Sequence, residues 1–380
     1  MNQIYLDNAA ATPMFPEVIQ TMSTVMEKTY GNPSSIHTFG REARQIIDDA
    51  RTVIAKSIGA DFNEIIFTSG GTEADNLALI GTALSNKERG NHIITTVTEH
   101  HAVLHTCEFL EKQGFSITYL PVDEYGIINI EDLQKALRDD TILVSIMYAN
   151  NEVGAIQPIS EITKLLSSHP AVFHTDAVQA YGHVKINVKE LRIDLLSVSG
   201  HKINGPKGVG FLYVNNGIKL TPHLYGGEQE RKRRAGTENV AAIAGLAKAI
   251  ILTSNSIDIN YQAMQQLKQQ FITILDEEGI SYKINGDMNK TLPNIINISF
   301  PGTNVEQMLI HLDLAGIAAS SGSACTAGSL EPSHVLKAMY GKDSQELYNS
   351  IRFSFGYGNT IEQIVTAAKK TADIVKRLTM

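Results

Sequence analysis

Apolar and polar positions follow two different periods along this chain. From about residue 60 to 215, short β-branched runs recur: EIIFTS, HIITTV, ITYLPV, TILVSIM, AVFHTD, DLLSVS and GVGFLYV. Between several of them the apolar positions take helical spacing, which predicts helices over 73–84, 102–112 and 130–137. Strands alternating with helices predict an α/β fold with a mostly parallel sheet covered on both faces. Ligand sites in such sheets gather at the carboxyl ends of the strands. Here the predicted strands run into polar clusters, TSGGTE, TEHH, ANNE, TDAVQ and SGHK.

Beyond this region the period changes. Residues 238–275 read as one long helix, with Val240, Ile243, Leu246 and Ile250 on one stripe. A strand-like NIINISF follows, then a predicted helix over 305–315, a Gly/Ser/Ala loop and a strand-like SIRFSFG. The expected organisation is a large domain over 16–260 and a smaller α+β domain made of 1–15 and 261–380. A chain of 380 residues suits two domains, since domains run to roughly 100–200 residues.

Composition narrows the class. Apolar residues make up 43% and charged residues 19%, an ordinary globular balance. The net charge of −8 argues against direct nucleic-acid binding and against an anionic membrane surface. The run Arg231-Lys232-Arg233-Arg234 is the exception and reads as a solvated loop. The start, MNQIYLDNAAATP, has neither the basic head nor the apolar core of a signal peptide. No purely apolar run approaches the ~18 residues of a membrane span. A cytoplasmic location is expected. The two cysteines, Cys107 and Cys325, make neither a disulfide framework nor a metal cluster, so no metal is expected.

Three strand ends carry candidate chemistry. Thr68-Ser69-Gly70-Gly71-Thr72-Glu73 leaves a strand and opens a helix, where free N–H groups and the helix dipole bind phosphate. Thr72 with Asp75 resembles a capping box, so the segment reads equally as a capped turn without a ligand. Asp176, in HTDAVQ, ends a buried strand and needs a partner; a pyridinium nitrogen is one, the start of the next helix another. Lys202, in SGHKINGPKG, leaves an apolar strand into a Gly-rich turn. Partly shielded there it could bond a carbonyl cofactor covalently, or it could reach solvent as an ordinary lysine. A phosphate loop, an Asp and a Lys, each at a strand end and in that order, is the logic of a pyridoxal-phosphate (PLP) fold.

With those motifs the chain resembles the fold-type I PLP-dependent transferases of the class V aminotransferase group, and within them the NifS/IscS-type cysteine desulfurases. The resemblance runs through YLDNAAATP, YGNPSSIH, FTSGGTEADNLAL, TEHHAVL, NNEVGAIQPI, HTDAVQA, SGHKINGPKGVG, RAGTEN, SSGSACTAG and SIRFSFG. It implies pyridoxal 5′-phosphate as cofactor and L-cysteine as substrate. The sulfur is held as a persulfide on Cys325, for iron–sulfur cluster assembly or tRNA and cofactor thiolation. By the same resemblance Lys202 carries the cofactor and moves a proton. Gly71, Thr72, Ser199 and His201 hold its phosphate, Asp176 its ring nitrogen and Gln179 its ring oxygen. His100 stacks on the ring and moves protons, Asn151 contacts the cofactor, and Asn151 and Arg352 position the substrate. Thr237 reaches the cofactor of a second subunit, which implies a homodimer and, beyond it, a sulfur-acceptor protein. His101, His105 and Cys107 receive no role. An aminotransferase, a selenocysteine lyase of the same fold and a catalytically silent sulfur-relay protein are the alternatives. Cys325 in SSGSACT argues against the first, and an intact Lys202, Asp176 and Cys325 against the last.

Overall fold

The computed structural model describes residues 3–321 and 332–380. In chain order the first half comprises β1 (Ile4–Tyr5), α1 (Pro16–Lys28), α2 (Thr38–Ser57), β2 (Ile65–Thr68), α3 (Gly71–Ser85), β3 (His92–Thr96), α4 (His101–Lys112), β4 (Ser116–Leu120), α5 (Ile130–Ala136), β5 (Thr141–Ser145), α6 (Ile159–Leu166) and β6 (Val172–Asp176). The second half comprises β7 (Leu195–Ser199), β8 (Gly210–Val214), α7 (Val240–Glu277), β9 (Lys283–Asn285), β10 (Ile295–Ser299), α8 (Val305–Leu314), β11 (Ile317–Ala318), α9 (His334–Tyr340), α10 (Glu346–Asn349), β12 (Ser350–Ser354) and α11 (Ile361–Thr379).

Seven strands form the main sheet in the order β2-β8-β7-β6-β5-β3-β4. The pairs β3–β4, β3–β5, β5–β6 and β6–β7 are parallel, whereas β8 runs antiparallel to both neighbours. Strands β2, β3, β5, β6, β7 and β8 are buried throughout. That is why they read as continuous apolar runs rather than as half-buried alternation. One apolar core, with Ile47, Phe173 and Leu246, covers one side of the sheet, and a second, with Leu77, Val103 and Leu212, covers the other.

A third core gathers Phe271, Phe353 and Phe355 with Ile4 and Leu6. It backs a three-stranded antiparallel sheet, β12-β10-β9. The first residues of the chain return to this region: β1 pairs with β11, and Asp7 bridges to Ser354. Helix α7 joins the two parts, its first half packed in the first core and Phe271 in the third. At 38 residues it has the length and mean hydropathy of a membrane span, but half of its most apolar window is buried inside the protein.

Candidate active site

The carboxyl ends of β6 and β7, the start of α3 and the N-terminal segment enclose a cavity of about 440 Å³. Gly71, Thr72, His100, Asn151, Asp176, Gln179, Ser199, His201, Lys202 and Arg352 all line it. Residues from six places in the sequence therefore meet at one spot.

The turn from β2 into α3 leaves its first amides open, which fits an anion. Gly70 occupies the N-cap with φ 151° and offers no side chain, so the first amides of α3 lack a side-chain cap. A Cβ on Gly71 would stand 2.7 Å from Val178 Cγ2, so a larger residue would push α3 away from the β6 end. The Thr72/Asp75 capping box suggested by the sequence is not formed, because Gly70 rather than Thr72 holds the N-cap position. The neighbouring Glu73 turns outward. It accepts from the Ser69 amide at 2.8 Å and from Arg234 Nε at 2.7 Å.

Asp176, at the end of β6, is 6% exposed. Its Oδ1 accepts from the Val178 amide at 2.8 Å. Burial pushes the carboxyl up to about 6, against the Val178 bond and the Lys202 charge, which lower it. A cationic ring N–H would restore its charge, so this carboxylate fits a pyridinium partner. Gln179 Nε2 donates to the Ala9 carbonyl at 3.0 Å. Lys202 follows β7 in a short 3-10 turn, and its Nζ donates to the carbonyls of Ala9 and Ala10 at 2.6 and 2.9 Å. Ser199 Oγ lies 2.8 Å from His201 Nδ1. His201 is lowered to about 4, by burial first and then by Lys202 and Lys207.

His100 caps α4, with Nδ1 accepting from the Ala102 amide at 3.1 Å. Burial, and then the Lys202 charge, lower it to about 4, so at neutral pH its ring is uncharged. Arg352, on β12, is 2% exposed. One Nη donates to Asp7 Oδ1 at 2.8 Å and the other to the Asn151 carbonyl at 2.9 Å, while Nε has no hydrogen-bond partner among the described residues. The expected carboxylate clamp is thus pinned by Asp7, which the sequence reasoning did not assign.

Thr237 does not line this cavity. It borders a separate one of about 240 Å³, beside Ser69, Gly208 and Asn239. Cys325 lies outside the described residues. Both described flanks of its segment reach the site. Ser320 pairs with Arg352 through mutual backbone bonds of 3.2 and 2.6 Å, and His334 Nε2 lies 2.9 Å from the Glu99 carbonyl. Cys107 is buried on α4, with its thiol pushed far up by burial, so it is no nucleophile. Sequence reasoning also missed the Ala9 and Ala10 carbonyls and Asp75. The motif YLDNAAATP was the signal that the N-terminal segment belonged to the site.

An uncapped helix start, a buried carboxylate, a lysine and an arginine around one cavity fit a cofactor with a phosphate at one end and a pyridine ring at the other. The aminotransferase class-V family model matches residues 4–366. A putative cysteine desulfurase IscS 1 of Bacillus subtilis is 59% identical over 379 residues, covering 100% of both chains. A cysteine desulfurase IscS of Dictyoglomus turgidum is 50% identical, covering 99% of this chain and 94% of its own. Among solved structures, a NifS-like protein superposes with a TM-score of 0.92 at 35% identity, covering 99% of this chain and 100% of that one.

Proposed function

Since the chain belongs to the class-V aminotransferase family and is a pyridoxal-phosphate-dependent cysteine desulfurase, we propose that the cavity at the β6 and β7 ends is where L-cysteine is split and that Cys325 takes the sulfur. One observation carries this reading. Lys202, Asp176, the uncapped start of α3 and Arg352 line a single cavity, and the chain leading to Cys325 is paired with Arg352.

The first amides of α3, with Thr72, Ser199 and His201, hold the cofactor phosphate. Asp176 pairs with the ring nitrogen, Gln179 with the ring oxygen, and the neutral His100 stacks on the ring. When bound and attached at Lys202, pyridoxal phosphate supplies an electron sink for the substrate α-carbon. Arg352 and Asn151 hold the substrate carboxylate. Lys202 Nζ would take the Cα proton. The Cys325 thiolate then attacks the substrate sulfur. A sulfur–sulfur bond forms and the carbon–sulfur bond breaks, leaving its electron pair with the three-carbon product. That product takes up protons and leaves as alanine, and Cys325 carries the persulfide to an acceptor protein of iron–sulfur assembly or thiolation.

The position of Thr237 outside the cavity supports its assignment to a second subunit's cofactor and hence a homodimer. Exposed Ile36, at 92%, and Tyr225, at 81%, supply apolar surface for such contact. We also propose a cytoplasmic location and two domains that divide inside α7. The test is alanine release from L-cysteine with added pyridoxal phosphate. Lys202→Ala is expected to abolish release and to lose its cofactor on gel filtration; normal turnover in that variant would contradict the role given to Lys202.

A further inference from the structure

Behind Asp176 lies a second carboxylate with no assigned role. Asp75, in the second turn of α3, is 1% exposed and lines the same cavity. Among the described residues its Oδ1 has no hydrogen-bond partner. The basic group facing it is His174, with Nε2 at 3.6 Å. That ring is already shared between two serines: Nε2 lies 3.0 Å from Ser197 Oγ and Nδ1 lies 2.8 Å from Ser145 Oγ. Burial depresses His174 to about 3, so the ring is neutral and brings no charge to Asp75.

The charged groups that act on it most are acids. Asp176 on β6 and Glu99 after β3 both repel a charge on Asp75, and with burial as the largest cause they hold its carboxyl well above the usual range. Two buried carboxylates facing one cavity cannot both be ionised cheaply. The two differ in their support. Asp176 has the Val178 amide and the Lys202 charge to stabilise an anion. Asp75 has the Ser197 hydroxyl and, within ion-pair distance among the described residues, the uncharged His174 ring.

We propose that Asp75 is a positioning residue that remains a neutral carboxylic acid, anchored to the Ser197–His174–Ser145 chain, and so leaves Asp176 as the single anion presented to the cofactor ring. This rests on the reading that Asp176 pairs with the ring nitrogen, and it explains how an acid pushed up by burial stays ionised there. A charged Asp75 would raise Asp176 further and favour its neutral form.

The test is infrared spectroscopy of the holoenzyme at neutral pH, as wild type minus Asp75→Asn. Glu99→Gln and Asp176→Asn serve as references, since Glu99 carries its own buried proton. The expected result is a protonated-carboxyl C=O band that disappears with Asp75→Asn and survives Asp176→Asn. Absence of that band in the wild type would overturn the proposal. Cofactor affinity gives the second readout. Asp75→Ala is expected to weaken it about tenfold by stripping the Ser197 hydroxyl of its carboxyl partner, with Asn recovering most of the loss. An Asn variant as weak as Ala would mean that the charge matters, and would also overturn it. Asp176→Asn checks the underlying reading separately: undiminished cofactor retention there refutes the ring-nitrogen pairing, while the Asp75 band still reports its own proton.

Discussion

Glu99 has a consequence for pH that can be measured. It is fully buried, with Oε1 accepting from the Met147 amide at 2.9 Å and from Thr96 Oγ1 at 2.8 Å, while Oε2 has no partner. Burial pushes it up from 4.5 to about 8. Between those values the folded chain holds a proton that the unfolded chain has released, so stability falls as pH rises, by ~1.4 kcal/mol per pH unit for this group. Below 6.5 the depressed histidines His100, His174, His183 and His201 act in the opposite sense, so the clean window is pH 6.5 to 8. Urea unfolding across that window should show the decline, and Glu99→Gln should reduce its slope by one proton's worth; an unchanged slope would contradict a protonated Glu99. Residues of this kind were not legible in the sequence. Lys202, Asp176 and Gly71 were, because the chemistry demands those types at strand ends. Asp75 meets the cavity, and Asp7 its arginine, only through what α3 and β12 pack them against. The Ala9 and Ala10 carbonyls carry no side-chain signature at all.

At the scale of elements, the predicted alternation appears as β2 through β8 with their helices, since fully buried strands and amphipathic helices leave clear periods. The long predicted helix over 238–275 is α7, Val240–Glu277. The basic run is only half of what its composition suggested. Arg231 and Lys232 are exposed, but Arg234 is partly buried on Glu73 of the phosphate turn. The turn that presents them is strained, with Glu230, Arg231 and Lys232 at φ of 47°, 58° and 66°. Buried Glu230 holds it by a two-point ion pair to Arg51, with bonds of 2.6 and 2.8 Å, and by accepting from the Phe67 amide at 3.1 Å. Local sequence gives no hint of this, because the clamp joins residues 179 positions apart. Removing one partner of a buried pair leaves the other uncompensated. Glu230→Ala should therefore lower unfolding free energy by ~3–5 kcal/mol, whereas Lys232→Gly should raise it by ~1 kcal/mol by relieving the left-handed residue. Denaturant titration separates the two, and a destabilised Lys232→Gly would show that the turn is not strained.

For the whole molecule, the site exists because three distant parts of the chain converge. The N-terminal segment crosses to pair with β11 and β12, placing the Ala9 carbonyl against Lys202 and Asp7 against Arg352. The main sheet supplies Asp176 and Lys202, and β12 supplies Arg352 while holding Ser320, five residues before Cys325. The proposed cofactor end of this assembly is written in strand-end motifs, and the proposed sulfur-accepting end in a single cysteine of the SSGSACT segment. The most direct measurement is therefore alanine release from L-cysteine together with mass-spectrometric detection of a persulfide, in wild type and in Cys325→Ala. The account predicts alanine and a persulfide on Cys325 in the wild type, and retained cofactor with neither product in the variant. Undiminished alanine release from Cys325→Ala would contradict it.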